Sequence, residues 1–137
     1  RAIEIGDLEY KSCITRSLKI HGYRDEPAAN DPRWYYGSDA NAVAALAKTE
    51  GMSQSIHREL PYELADVVWA VQNEMALTVD DLLARRTRAL LLNAQAAIEC
   101  ANLVAETMAK ELQRDEMWKS EQVERFTSIA KGYIAAP

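Results

Sequence analysis

Glycine and proline are scarce in this chain, whose 137 residues include five glycines and four prolines. Both residue types interrupt regular structure. Their scarcity, together with abundant alanine, therefore favours helices over a sheet of many strands. The glycines stand alone, at positions 6, 22, 37, 51 and 132. No GxGxxG fingerprint or P-loop is therefore present to hold a nucleotide phosphate.

Cysteine and histidine are rarer still. Cys13 and Cys100 are too few and too far apart to form a disulfide framework, which favours a reducing, cytoplasmic setting. Together with His21 and His57 they show neither CxxC nor HxxxH spacing, the patterns that hold zinc. The sequence therefore predicts no metal ligands.

Long apolar runs and positive charge are also lacking. No segment approaches the roughly 20 apolar residues that cross a bilayer, and no secretory signal is visible. The formal net charge of −5 argues against a dedicated nucleic-acid binder, whose domain is usually basic. The length suits one domain with its own core. Because the chain opens on Arg1 rather than Met, we expect a piece of a longer polypeptide.

The strongest pattern runs from Leu60 to Glu99. Its first helix carries an apolar stripe that also includes Glu74, and its second carries a stripe that includes Arg86. These apolar positions are Leu64, Val67, Val68, Val71 and Met75, then Val79, Leu82, Leu83 and Leu90. Thr78 and Asp81 have the spacing of a reciprocal cap between the two helices. An acid in one stripe and a base in the next predict that Glu74 and Arg86 form a buried ion pair.

Three arginines, Arg85, Arg86 and Arg88, are the most tempting binding site, because guanidinium groups suit phosphates. A structural interpretation accounts for them better. Asp81 and Arg85 are four residues apart and can pair on a helix surface, while Arg86 is neutralised by Glu74. Whether Arg88 or either neighbour contacts a ligand stays open. The TVDDLLARRTR string also resembles a DNA-binding helix-turn-helix, although the acidic chain and the apolar run that follows favour a buried helix.

The chain as a whole predicts an all-α fold, a bundle of about five helices with a short extended N-terminal arm. Residues 1–35 are the arm and a loop, and residues 36–137 are the helical part of one domain. Alternating residues at 14–20 give a modest strand signal within the arm. Whether residues 78–112 form one helix or two stays open. The inward faces predicted for the last two helices are Ala94, Ala97, Ile98, Ala101, Ala105, Met108 and Leu112, then Trp118, Gln122, Phe126, Ile129, Ala130 and Tyr133.

Several stretches resemble a known family. They are CITRSLKIHGY at 13–23, YGSDA at 36–40, NEMALTVDDLLARRTRALLLNAQAAIE at 73–99 and the VAETMAKELQRDEMWKSEQVERF that follows. They are similar to the C-terminal domain of aerobic, FAD-dependent glycerol-3-phosphate dehydrogenases, the alpha-glycerophosphate oxidase family. The resemblance covers nearly all of residues 13–133.

The resemblance implies a parent enzyme of glycerol metabolism. That flavoprotein oxidises sn-glycerol 3-phosphate to dihydroxyacetone phosphate and passes electrons through FAD to a quinone, or to oxygen in oxidase relatives. FAD and substrate sit in a larger preceding domain, so this chain is expected to hold no catalytic or cofactor-binding residue. Its partner is that larger domain, and the parent is expected to lie peripherally on the inner face of the cell membrane.

One departure from the family pattern concerns Asn93 and Gln95. Where relatives usually read LLLDARAA, this chain reads LLLNAQAA, so a charge pair expected there is absent. The alternative function is a stand-alone helical interaction domain or a helix-turn-helix DNA-binding domain. We also expect the excised piece to self-associate through an aromatic cluster, Trp34, Tyr35 and Tyr36, or through the arm.

Overall fold

A computed structural model describes residues 5–7, 9, 11–25 and 32–134 of the chain. The chain divides into two compact units, residues 1–39 and 40–137. Helices dominate the described residues, which contain no β-strand, so the all-α prediction is confirmed. An isolated antiparallel bridge joins Ser55 and Glu63. No helix among the described residues is long and apolar enough to cross a membrane.

In the first unit, the strand predicted at 14–20 is wrong. The N–H groups of Ser17 and Leu18 both donate to the carbonyl of Ile14, at 3.0 and 2.9 Å, which makes a turn. Ile14, Leu18 and Ile20 are all more than half exposed. Alternation alone cannot stabilise a strand that has no neighbour, whereas a turn satisfies backbone groups locally.

The first unit ends in a 3₁₀ segment, Trp34–Asp39, which is kinked at Gly37. The Ser38 N–H donates to the Gly22 carbonyl at 3.2 Å. Gly37 has a φ of +57°, and a Cβ there would lie 1.9 Å from the Gly22 oxygen. Glycine is therefore required at this close approach, which brings the HGY and YGSDA stretches together.

The described residues of the second unit form five α-helices and one π-helical segment. The α-helices are α1 (Ala40–Ala47), α2 (Leu64–Asn73), α3 (Ala89–Leu92), α4 (Ala94–Leu112) and α5 (Glu116–Lys131). The π-helical segment is Asp81–Arg86. Residues 78–112, left open as one helix or two, are thus three separate pieces. Arg88 has a left-handed φ of 58°, and Asn93 is extended, so the chain breaks on both sides of α3.

Helix α4 lies at the centre of the core and packs against α2, α3 and α5. Its inward face is rich in small residues, with Ala97, Ala101, Ala105 and Met108 essentially inaccessible to solvent. Small side chains let neighbouring helices approach closely. The prediction for this face is confirmed at these four positions, and Ala94, Ile98 and Leu112 are partly buried against the core.

Helix α5 is capped at its start by Asp115, whose carboxylate accepts the Trp118 N–H at 2.9 Å. Phe126 and Ala130 are fully buried as predicted. The inward placement of Ile129 and Tyr133 is wrong, because they are 38% and 57% exposed. Met75 is also exposed rather than inward. It follows the last residues of α2 with a left-handed φ of 56°, so the helical period no longer applies to it.

Candidate docking face and arginine cluster

The turn between α2 and the π-helical segment is organised by Thr78 and Asp81. The Thr78 N–H donates to the Asp81 carboxylate at 3.0 Å, and the Asp81 N–H donates to the Thr78 hydroxyl at 3.1 Å. The Leu77 N–H donates to the same carboxylate at 3.1 Å. These bonds satisfy N–H groups that a helix start leaves without partners. The reciprocal cap that the spacing of Thr78 and Asp81 predicted is therefore present.

The carboxyl of Asp81 responds to this environment. Partial burial acts to raise its pKa, but hydrogen bonds from Thr78, from the Leu77 N–H and from Arg85 outweigh that effect and lower it. The Asp81 carboxylate is therefore negatively charged throughout the neutral pH range, and this charge lies at the positive N-terminal end of the helix dipole.

Arg85 is held by two carboxylates. Its guanidinium lies 2.5 Å from Asp81 and 2.6 Å from Asp80. The side chain of Asp80 is only 11% exposed, whereas that of Arg85 is 56% exposed. The trio carries a net negative charge, which makes it unsuited to bind a phosphate. The four-residue spacing predicted the pair of Arg85 with Asp81 but not the contact with Asp80.

Arg86 meets Glu74, but mainly through the backbone. Its Nε and Nη2 donate to the Glu74 carbonyl oxygen at 3.0 and 2.7 Å, while Nε lies 4.0 Å from the Glu74 carboxylate. The two side chains are 35% and 30% exposed. Glu74 is the C-cap of α2, so the guanidinium satisfies a terminal carbonyl and complements the negative end of the helix dipole. The dry interface expected around this pair is not observed, and its value for stability stays a prediction.

Arg88 differs from its two neighbours. Its side chain is exposed and makes no ion pair within the part of the chain that the structure describes. Its carbonyl accepts the N–H groups of Leu91 and Leu92 at 2.9 and 3.2 Å, which starts α3. The preceding Thr87 carbonyl accepts the hydroxyl of Tyr62, a contact that the sequence analysis did not foresee.

A groove with a mixed polar and apolar lining lies beside this arginine cluster. It has a volume of about 380 Å³ and runs between α3 and the C-terminal end of α5. Its lining residues are Asp80, Ala84, Arg85, Leu90, Leu91, Ile129 and Tyr133. Leu91 of this lining is 65% exposed, and Leu92, which follows it in α3 but does not line the groove, is 60% exposed. Contiguous apolar patches on a protein surface mark interaction sites.

A second polar cluster ties the connector before α2 to α4. Asn93 caps α4 by accepting the Ala96 N–H at 3.0 Å, and its amide donates to Glu59 at 2.8 Å. Gln95 donates to Glu99 at 2.8 Å, and His57 Nε2 lies 3.1 Å from the same residue. The two positions that depart from the family pattern therefore form polar contacts without a charge pair of their own.

His57 in this cluster is not free to act as a base. Its Nδ1 accepts the Glu59 N–H at 3.2 Å, so Nε2 carries the proton and donates to Glu99. Hydrogen bonds from Gln95 and then His57 lower the pKa of the Glu99 carboxyl. The contacts that join the connector to α4 link residues 34 and 42 positions apart in the sequence. No short sequence motif could therefore have predicted this cluster.

Neither a metal site nor a nucleotide cradle emerges from these residues. No group of three or more His, Cys, Asp or Glu converges in the described ranges as a metal site would require. Gly22, Gly37 and Gly51 have left-handed φ values but lie in separate turns, and no described strand leads into them. A dinucleotide needs a glycine-rich turn between a strand and a helix, so the described residues do not fit FAD.

The helix-turn-helix interpretation does not agree with the geometry. The segment that would be its recognition helix, Asp81–Arg86, has six residues and is π-helical. Arg85 is already paired with two carboxylates, and Arg86 is bound to a backbone carbonyl. These arginines are therefore engaged within the protein itself and not presented to a DNA backbone.

Comparison with known proteins gives a consistent result. The family described as the C-terminal domain of alpha-glycerophosphate oxidase matches residues 25–121. Mitochondrial glycerol-3-phosphate dehydrogenases of mouse and rat are each 36% identical to this chain over 86% of its length. The human protein is 36% identical over 72% of the chain. No solved structure gives a significant match.

The chain spans 17% of the length of the mouse and rat proteins and 14% of the human one. The matched region includes the Thr78–Asp81 cap, the arginine cluster and helix α4. None of these findings supports the DNA-binding alternative. The chain belongs to the family of C-terminal domains of alpha-glycerophosphate oxidase and the related glycerol-3-phosphate dehydrogenases.

Proposed function

We propose that this chain is the non-catalytic helical C-terminal domain of a flavin-dependent glycerol-3-phosphate dehydrogenase. It packs on the FAD and substrate domain of the same polypeptide and supports it. The observation that carries the proposal is the family match over residues 25–121, combined with a chain that spans only 17% of the mouse relative. The reacting groups are thus expected in the part of the parent outside this chain.

The parent enzyme oxidises sn-glycerol 3-phosphate to dihydroxyacetone phosphate. Bound FAD accepts the electrons there and passes them on to a quinone. We expect the parent to lie peripherally at a membrane, where quinone is found. The names of the mouse, rat and human relatives place those proteins in mitochondria, whereas the cysteine usage of this chain predicts a reducing compartment.

The arginine cluster supports a structural role in this proposal. Arg85 and Arg86 could be taken for substrate phosphate ligands, but both are satisfied inside the domain. Recruiting Arg85 to a phosphate would leave two carboxylates without their cation. Recruiting Arg86 would leave the end of α2 uncapped. Either loss opposes binding, because an abandoned charge or carbonyl costs free energy.

The test uses the isolated chain and the full-length parent side by side. The isolated chain is expected to be folded and colourless and to reduce no dye when glycerol 3-phosphate is added. The parent is expected to be yellow and active, and deleting residues 40–137 from it should lower its melting temperature. A yellow isolated chain, or substrate-dependent dye reduction by it, contradicts the proposal. A salt-sensitive gel shift with duplex DNA would support the alternative instead.

A further inference from the structure

We propose that the groove between α3 and the C-terminal end of α5 is the docking site for apolar side chains of the larger domain in the parent polypeptide. This inference rests on the proposed function and deepens it by naming the contact face. The groove lies entirely within residues 80–133, in the second compact unit.

The walls of the groove determine the chemistry of its occupant. Leu91, Ile129 and Tyr133 supply exposed apolar surface. The charged lining residues are Asp80 and Arg85, and the guanidinium of Arg85 is already held by the carboxylates of Asp80 and Asp81. A phosphate would therefore find no free cation there. Apolar side chains fit the surface better, because their burial needs no new polar partner.

The backbone presents these leucines outward. Arg88 before α3 adopts a left-handed conformation that residues with a Cβ rarely take, and Asn93 after it is extended. These two breaks isolate a four-residue helix whose Leu90 is buried while Leu91 and Leu92 face solvent. An unusual backbone that displays apolar side chains is a feature expected at a contact surface.

The length of the relatives selects the occupant. The chain corresponds to 17% of the mouse protein, so a parent of that size supplies several times more polypeptide outside this chain. A domain held permanently against such a partner keeps an apolar patch covered. A second copy of this chain is the competing occupant, and the experiment separates the two.

Hydroxyl-radical footprinting of side chains tests the proposal in the full-length parent and in the isolated chain. Leu91, Ile129 and Tyr133 should be oxidised several-fold more slowly in the parent than in the isolated chain. Met117 serves as the internal control, because it is 68% exposed and lies on the same helix as Ile129. The two are separated by about 18 Å along the axis at roughly 1.5 Å per residue.

Two variants of the parent sharpen the result. Leu91→Asp should weaken docking and raise the oxidation of Tyr133 towards its rate in the isolated chain. The matched variant Met117→Asp adds the same charge at an exposed apolar site and should leave the oxidation of Tyr133 unchanged. If the backbone around Leu91 is disturbed by the change, Ile129→Asp on the opposite wall tests the same surface.

Equal oxidation of Leu91, Ile129 and Tyr133 in parent and isolated chain overturns the groove as the docking site. If that parent still oxidises glycerol 3-phosphate, the proposed function stands and only the face is wrong. A parent with no flavin and no such activity contradicts the proposed function independently. Protection in the isolated chain that is lost on dilution identifies a second copy as the occupant and also overturns the proposal.

Discussion

The contact between Arg86 and the end of α2 allows a quantitative test of how this arginine acts. Its guanidinium donates two hydrogen bonds to the Glu74 carbonyl, at 3.0 and 2.7 Å, while the carboxylate of Glu74 lies farther away at 4.0 Å. We therefore expect removal of the guanidinium to destabilise the domain and neutralisation of the carboxylate to have little effect.

The expected loss of unfolding free energy depends on how far the Arg86 side chain is buried. A hydrogen bond from a charged donor contributes about 1.5–3 kcal/mol, and a charge at a helix end about 0.3–1 kcal/mol, when water does not compete. The Arg86 side chain is 35% exposed, so water replaces part of the interaction. Arg86→Ala should cost about 1–2 kcal/mol, less than the roughly 3–5 kcal/mol that breaking a dry ion pair costs. Arg86→Lys should fall between, because an ammonium cannot reproduce the planar fork.

Thermal and urea unfolding of the isolated chain measure these differences. A loss of about 1–2 kcal/mol corresponds to a fall in Tm of about 3–8 °C for a domain of this size. Glu74→Gln is the matched control and should change the unfolding free energy by less than about 0.5 kcal/mol. If Glu74→Gln costs as much as Arg86→Ala, the carboxylate and not the carbonyl is the main partner. If the Arg86→Ala variant has the same Tm as the unsubstituted chain, Arg86 does not cap α2.

Three other predictions test separate features. The lowered pKa of Asp81 means that its charged form contributes stability above the unfolded value of 3.8, and that this contribution is lost as pH falls through the folded pKa. Asp81→Asn should therefore lower the Tm of the isolated chain at pH 6. Below about pH 4 the difference in Tm between the variant and the unsubstituted chain should shrink progressively, and melting curves recorded across this pH range measure it. Burial raises the pKa of the Cys100 thiol to about 11, whereas Cys13 is exposed. A thiol reagent at pH 8 should thus label Cys13 alone until the chain is unfolded, and rapid labelling of both would contradict the buried position. Gly37→Ala places a Cβ 1.9 Å from the Gly22 oxygen at a φ of +57°, so it should break the Ser38 N–H bond to Gly22. Hydrogen exchange at Ser38 measures this, with Gly51→Ala as a control of similar φ and no nearby atom.

Local rules predicted the parts of the fold that depend on neighbouring residues. The Thr78–Asp81 spacing indicated a reciprocal cap because both partners lie within one turn. The alanine-rich face of α4 followed from its period. In each case the residues that decide the structure are within a few positions of one another.

Features that depend on distant partners were not predictable in this way. The sequence left open whether the helix breaks at Arg88, since an arginine carries no signal for a left-handed backbone. The hydroxyl of Tyr62 bonds the Thr87 carbonyl across 25 residues, so it also escapes any local pattern. Ile129 and Tyr133 fit the inward period of α5, yet they remain 38% and 57% exposed. The helical period of apolar residues shows which side chains share a face of a helix. It does not show how far neighbouring elements extend over that face.

The small-residue face of α4 has a consequence for the order in which the domain folds. Helices α4 and α5 are joined by a short turn in which the Arg114 N–H donates to the Ala109 carbonyl at 2.9 Å. Their contacts are close in sequence and require little loop closure, whereas α2 reaches α4 only after the intervening segments are placed. We therefore expect a helical hairpin of α4 and α5 to form first, with α2 and the capped segment 81–86 packing onto it later. The longest-lived amide protons should then belong to the middle of α4, and the turn at residues 14–18 should exchange first.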